Sequence, residues 1–148
     1  MLAEVRKPRV LVIDDGETYA RAVADSLPEL ELVRPGGDGA EARLEDGPAA
    51  LAYLEGHAGR VDVVLLDMHF DVPAERLLPL SPGASPRRTR RYQGVAILRE
   101  IRRRWPELPV VLLTAEEDLS LVDAAGELAA QSMTYFLDGD ALDMLRIR

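Results

Sequence analysis

Apolar residues along this chain gather in short unbroken runs, and the stretches between them have helical spacing. Val10-Leu11-Val12-Ile13 closes on Asp14-Asp15-Gly16, and Val61-Asp62-Val63-Val64-Leu65-Leu66 closes on Asp67. Runs of this length without strict alternation predict strands covered on both faces, as in a parallel sheet. Acidic side chains at the ends of two such strands would emerge at the carboxyl edge, where open α/β sheets bind their ligands. Asp67 is the residue that most needs explaining.

The intervening segments supply the helices. From Thr18, the residues Ala20, Val23, Ala24 and Leu27 share a face, and Pro28 closes it. Leu30 to Val33 predicts a short edge strand, ended by the turn cluster Arg34-Pro35-Gly36-Gly37-Asp38-Gly39. Ala40 to Leu44 could open the next helix, but Asp46-Gly47-Pro48 fits an N-terminal cap better, which places the second helix at about Pro48 to Glu55. Gly56 to Gly59 then returns the chain to the central strand. After Asp67 the pattern dissolves for 26 residues, whereas such connections usually run roughly 2 to 6. An insertion at about 68–93 is expected.

A third helix resumes near Gln93, burying Ile97, Leu98, Ile101 and Trp105 and turning Arg99, Arg102 and Arg103 to water, until Pro106 stops it. Pro109 to Leu113 predicts a fourth strand ending at Thr114. Glu116-Glu117-Asp118 suits the start of a helix reaching about Ala130. Met133 to Leu137 predicts the fifth strand, Asp138-Gly139 the turn beyond it, and Asp140 to Arg148 a last short helix. Five βα units in this order predict a doubly wound (βα)5 three-layer sandwich, flavodoxin-like, as a single domain over 1–148.

Composition narrows the function. The 148 residues are enough to bury roughly 70% of the unfolded surface in one core. With no cysteine, disulfides and thiolate metal sites are excluded. No run approaches the roughly 20 apolar residues of a membrane helix, and the first residues lack a signal-peptide core. A cytoplasmic protein with no membrane partner is expected. The net charge of −8 argues against direct nucleic-acid binding. Lys7 is the sole lysine, the other 17 basic residues being arginines. His57 and His69 are separated and have no further His or Cys beside them, which disfavours a transition-metal site.

Four motifs in order now carry a family resemblance: Val-Leu-Val-Ile-Asp-Asp-Gly from Val10, Val-Asp-Val-Val-Leu-Leu-Asp-Met from Val61, Gly-Val-Ala-Ile-Leu-Arg-Glu-Ile from Gly94, and Pro-Val-Val-Leu-Leu-Thr-Ala from Pro109. Together they resemble the receiver domain of bacterial two-component response regulators. The resemblance implies the sheet order 2-1-3-4-5 and a phosphorelay role, with Asp67 accepting a phosphoryl group from a sensor histidine kinase or phosphotransfer protein. It further implies Mg²⁺ held by Asp14, Asp15, Asp67 and the backbone carbonyl of His69, and Thr114 and Tyr135 as the switch pair. The implied readout is a changed surface toward an output domain or partner protein, with a homodimer as a further family-level expectation. Such a domain is a phosphoacceptor rather than a turnover enzyme.

The residues support that chemistry independently. Transfer to a carboxylate gives an acyl phosphate, so the acceptor must be held in line while charge is neutralised. Mg²⁺ binds through one or two carboxylates plus phosphate oxygen, which suits Asp side chains at strand ends. Taken alone, Asp14-Asp15-Gly16 could simply cap the first helix.

The sequence departs from the family at two places. Where the family ends strand five with Lys-Pro, this chain has Asp138-Gly139, a change of two charges, each on the order of 4 kcal/mol at 4 Å and an effective dielectric of 20. Beside the pocket, the 68–93 segment carries Arg87, Arg88, Arg90 and Arg91, which could fold over the site as compensating cations or form an ordinary interaction segment. Two functions therefore stay open: a phosphoaccepting receiver, and a phosphorylation-independent pseudo-receiver that acts as a protein-interaction module. A Mg²⁺-dependent phosphohydrolase is a weaker third reading, because His69 replaces its usual second acid.

Overall fold

The computed structural model describes residues 6–114 and 134–138. Strands β1 (Arg9–Ile13), β2 (Glu31–Leu32), β3 (Val63–Asp67), β4 (Val110–Thr114) and β5 (Thr134–Asp138) form one all-parallel sheet in the order β2-β1-β3-β4-β5. This is the doubly wound order expected from the sequence. The central strands are apolar throughout because both their faces are covered. Leu11, Ile13, Val64 and Leu66 point into a core layer shared with α2 (Gly47–His57) and α4 (Gln93–Arg104), whereas Val10, Val12 and Leu65 pack with Ala22 and Val23 of α1 (Thr18–Ser26).

Local chemistry sets the helix ends. Asp46 caps α2, accepting a hydrogen bond from the Ala49 N–H (2.8 Å), with Pro48 in the first turn. Helix α4 buries Ile97, Leu98 and Ile101 completely, and each such side chain stabilises the fold by about 1.5–3 kcal/mol relative to exposure. Trp105 is half-buried against this layer at the helix end. Arg99 and Arg103 are exposed as expected, but Arg102 is only 6% exposed. Its Nη1 donates to the carbonyls of Trp105 (3.2 Å) and Pro106 (3.0 Å) at the helix end, which corrects its assignment to the solvent face.

Residues 40–44 do not start a helix. Leu44 bridges Ile13 in parallel, its N–H bonded to the Val12 carbonyl and its carbonyl accepting from the Asp14 N–H, both at 2.9 Å. The edge of β1 is thus covered beyond the end of the two-residue β2.

The segment between β3 and α4 has more structure than its sequence pattern suggested. It holds a 3₁₀ turn (Ala74–Arg76) and a short helix, α3 (Pro86–Arg91), whose N-cap Ser85 accepts from the Arg88 N–H. Met68, Phe70 and Val72 are buried in the α2/α4 layer, and Leu77, Leu78 and Leu80 pack against it. Thr89 is buried and donates to the Ser85 carbonyl (2.9 Å). Gln93 is fully buried, and its amide pairs with both backbone groups of Leu78, accepting from N–H at 2.7 Å and donating to C=O at 3.0 Å. Arg76 ties the segment to α2 through Asp46 (2.7 Å).

Asp138 is the last residue of β5 rather than the first of a turn. The helix expected from Glu116-Glu117-Asp118 to Ala130, the residues Met133 and Gly139, and the closing helix Asp140 to Arg148 lie outside the described residues.

Gly94 has no room for a side chain. A Cβ there would collide with the Asp67 carbonyl and stand 2.8 Å from the Met68 Cα and 2.9 Å from Leu112 Cδ1. Gly94→Ala should therefore lower stability by about 1–3 kcal/mol. Gly56→Ala in α2, where a Cβ meets nothing within 4 Å, should raise it by about 0.5–1 kcal/mol. Urea unfolding of the two variants checks both signs.

Candidate functional site

Register brings the strand ends to one edge. Ile13 pairs with Leu66, Asp67 with Leu113, and Thr114 with Asp138. Asp14 therefore stands just past β1, level with the end of β3, and Thr114 stands one residue beyond the partner of Asp67. For Thr114, Tyr135 and Asp138 the structure gives strand position and register alone. Two strand spacings separate Asp138 from β3, roughly 10 Å.

The three acids at the centre come together. Asp14, Asp15 and Asp67 each offer a carboxylate oxygen within 4.8 Å of the others. Asp14 is 3% exposed, and its Oδ1 accepts from the Gly16 N–H (3.1 Å). Its buried Oδ2 meets no donor among the described residues. Asp15 accepts from the Asp71 N–H (2.8 Å) and Asp67 from the Met68 N–H (2.8 Å). None of these bonds caps α1, whose N-cap residue Glu17 makes no side-chain cap either. The simple capping reading of Asp14-Asp15-Gly16 is therefore not what the geometry shows.

Crowding shows in the proton affinities. Burial is the largest cause, followed by the charge of Asp14 and the hydrogen bond between the two side chains, and together they push the Asp67 carboxyl up to about 8. Burial likewise raises Asp14, partly offset by the Gly16 N–H and by the hydrogen bond to Asp67. Two ionised carboxylates cannot hydrogen-bond to each other. Crowding of the acids therefore favours the protonated form of Asp67 in the absence of a cation. Asp62 at the other end of the same sequence run behaves oppositely. The Arg9 N–H (2.7 Å), then the Arg9 and Arg6 side chains, hold its carboxyl below the usual range.

The arginines of α3 take up separate positions. Arg90 Nε donates to the Val72 carbonyl (2.9 Å), Arg88 and Arg91 lie over the Tyr92 ring, and Arg87 is exposed. His69 is exposed on the loop after β3, between Met68, whose carbonyl accepts from the Gly94 N–H (2.8 Å), and Phe70, whose N–H donates to the Arg90 carbonyl (3.0 Å). Lys7 is exposed just before β1, at the opposite edge of the sheet.

Two residues near the acids were not anticipated. Arg43 Nη1 lies 3.4 Å from the Asp14 carbonyl while its guanidinium also pairs with Glu41 and Glu45. The backbone of Asp71 orients Asp15. An arginine flanked by acids two residues away on each side was the only sequence signal for Arg43, and nothing local marked Asp71.

Neither a protein-family model nor a curated protein sequence matches the chain. Solved structures do. The receiver domain of NtrX from Brucella abortus superposes with a TM-score of 0.54 at 22% identity, covering 94% of this chain and 95% of that one. The signal receiver domain of an HD domain-containing protein from Pseudomonas fluorescens Pf-5 gives 0.59 at 20%, covering 99% and 92%. The BeF3-activated DrrB receiver domain gives 0.57 at 23%, covering 97% and 94%. The fold is that of a response-regulator receiver domain. In this receiver fold the three carboxylates occupy the carboxyl edge of the sheet, at the ends of its two central strands β1 and β3.

The raised Asp67 value has a definite consequence for stability. Between the ordinary 3.8 and about 8 the folded state holds a proton that the unfolded state has released. The stabilisation is thus complete below about 4 and is lost as pH rises through 8. In cation-free buffer the urea midpoint should fall across that window, and Asp67→Asn should flatten the fall. Added Mg²⁺ should restore stability at pH 8 in the native chain more than in the variant.

Proposed function

We propose that this chain is the receiver domain of a two-component response regulator, accepting a phosphoryl group on Asp67 from a phosphohistidine of a sensor kinase or phosphotransfer protein. The observation that carries this reading is the close triad Asp14, Asp15 and Asp67, with one buried oxygen of Asp14 facing no donor among the described residues. Such an oxygen set fits a small hard divalent cation. Asp14, Asp15, Asp67 and the His69 carbonyl are the proposed Mg²⁺ ligands. Bound there, Mg²⁺ would supply the positive charge that favours ionised Asp67 and balances phosphoryl oxygens.

The chain's own residues do the rest. In its ionised form an Asp67 oxygen attacks phosphorus as the phosphorus–nitrogen bond of the donor breaks, leaving an acyl phosphate on Asp67 and the imidazole on the donor. The Met68 N–H, already bonded to Asp67 Oδ1, fixes the carboxylate for in-line approach. Thr114, at the end of the neighbouring strand, is the proposed hydroxyl that gains a charge-assisted hydrogen bond once phosphate is present. Tyr135, which pairs with Val111 in register, would shift with it and alter the surface offered to an output domain, a partner protein or a second copy. A single domain over 1–148 working in a bacterial cytoplasm completes the proposal.

One observation favours a second reading. Asp138 ends β5 directly opposite Thr114, so an anion occupies the strand end where the resemblance implies a cation. On this reading the fold is a pseudo-receiver whose interactions do not depend on phosphate.

Incubation with Mg²⁺ and acetyl phosphate, followed by intact mass, separates the two. A single phosphate adduct that disappears in Asp67→Asn is the expected result. No adduct in the native chain, with one appearing in Asp138→Lys, selects the pseudo-receiver, and an adduct that persists in Asp67→Asn overturns the site assignment.

A further inference from the structure

The two acids of the turn after β1 are held from behind by two separate stretches of chain. Residues 43–44 hold Asp14: its N–H donates to the Leu44 carbonyl (2.9 Å), and its own carbonyl accepts from Arg43 Nη1 (3.4 Å). Asp15 is held by the segment after β3, through the Asp71 N–H on its Oδ2 (2.8 Å). Arg76, further along that segment, joins the two stretches. Its guanidinium pairs with Asp46 (2.7 Å) and with Glu45 (3.6 Å), and the other oxygen of Glu45 lies 3.1 Å from Arg43 Nη1. A closed ring results, running from Asp14 through Arg43, Glu45 and Arg76 to Asp71 and Asp15.

The charges in this ring point to geometry rather than attraction. An arginine standing alone beside three acids would repel the dication they suit. Arg43 instead carries two acids of its own, Glu41 (3.4 Å) and Glu45, and only 10% of its side chain is exposed. The two glutamates offset its charge toward the site and fix the planar guanidinium against the Asp14 carbonyl, a geometry that a compact ammonium would not reproduce. Outer groups that orient metal-binding side chains commonly govern metal affinity by about 10–100-fold.

We propose that Arg43 is a positioning residue for the cation site, holding the Asp14–Asp15 turn in the shape that binds Mg²⁺, and that Arg76 brings the segment after β3 into the same clasp. This role rests on the receiver reading of the acids and gives the 68–93 segment a place in it. Arg43 acts through the backbone of Asp14 rather than on the cation itself. Arg76 acts one step further away, through Glu45 on one side and through the stretch leading back to Asp71 on the other. Its side chain is 41% exposed, and ion pairs in that setting are weak by themselves. Its effect is therefore the smaller of the two, and it needs Arg43 in place to reach Asp14.

Titration of the full chain with MgCl₂, followed through the backbone amide resonances of Gly16 and Asp71, gives the Mg²⁺ Kd of the folded protein without any phosphoryl transfer. Arg43→Gln should raise that Kd about tenfold or more, even though it removes a positive charge. Arg43→Lys, which keeps the charge but loses the fork, should raise it about threefold. Arg76→Gln should give a smaller rise, and none when added to Arg43→Gln, because both act through one clasp. Arg104→Gln, which breaks ion pairs with Glu55 and Glu100 at the far end of α4, should leave the Kd unchanged. Should Arg43→Gln fail to fold in cation-free buffer, Arg43→Lys carries the test. A Kd unchanged or lowered by the Arg43 substitutions overturns the positioning role and leaves the receiver reading standing, as does an equal rise in Arg104→Gln. Full additivity of Arg43→Gln and Arg76→Gln overturns the shared clasp. A native chain whose Gly16 and Asp71 amides do not respond to Mg²⁺ overturns the cation site itself, and the positioning role with it.

Discussion

Three carboxyl groups are held together where water only partly reaches them, and much of the arrangement around the carboxyl edge exists to keep them there. Parallel pairing of β1 with β3 levels Asp14 with Asp67. Backbone N–H groups of Gly16, Met68 and Asp71 are each aimed at one acid. The close approach of Gly94 lets α4 start directly against the end of β3. What these bonds cannot remove is the repulsion among the acids, and a shared proton or a cation is the physical means of relieving it. The site is thus under electrostatic tension in the absence of a ligand, which gives any phosphoryl chemistry there a charge balance that can be tipped.

Much of this was legible in the chain. Unbroken runs such as Val10-Leu11-Val12-Ile13 carry no alternation because both faces are covered, and that feature identifies a parallel sheet before any coordinates. The acids closing the runs had to appear at one edge, and three of them do. The cap at Asp46 was visible in Asp46-Gly47-Pro48. Arg102 was harder, since its three neighbours in the row of arginines, Arg99, Arg103 and Arg104, are surface residues. Its burial depends on helix-end carbonyls that exist only once Pro106 has stopped α4.

The segment after β3 shows why the remainder was hidden. Met68, Phe70 and Val72 alternate with polar residues, a period-two signal that prolines and arginines further on obscured. Further along, the segment is tied back by Gln93, whose amide binds the backbone of Leu78, 15 residues earlier, as a neighbouring strand would. No local pattern predicts such a pairing, because a glutamine at a helix start is ordinarily solvated. Losing this fully buried amide would leave two half-buried Leu78 backbone groups without these partners, at a cost of up to about 1–3 kcal/mol each, so one side chain does much to hold this stretch against the core.

Lys7 is the chain's only lysine and sits exposed just ahead of β1, at the opposite end of a five-residue strand from Asp14. That separation is roughly 17 Å or more along the strand direction. Lysine-directed chemistry is consequently confined to one point on the far rim. A dye or tether attached there would leave the acidic hollow facing outward, so that every molecule on a derivatised surface would be displayed in the same orientation.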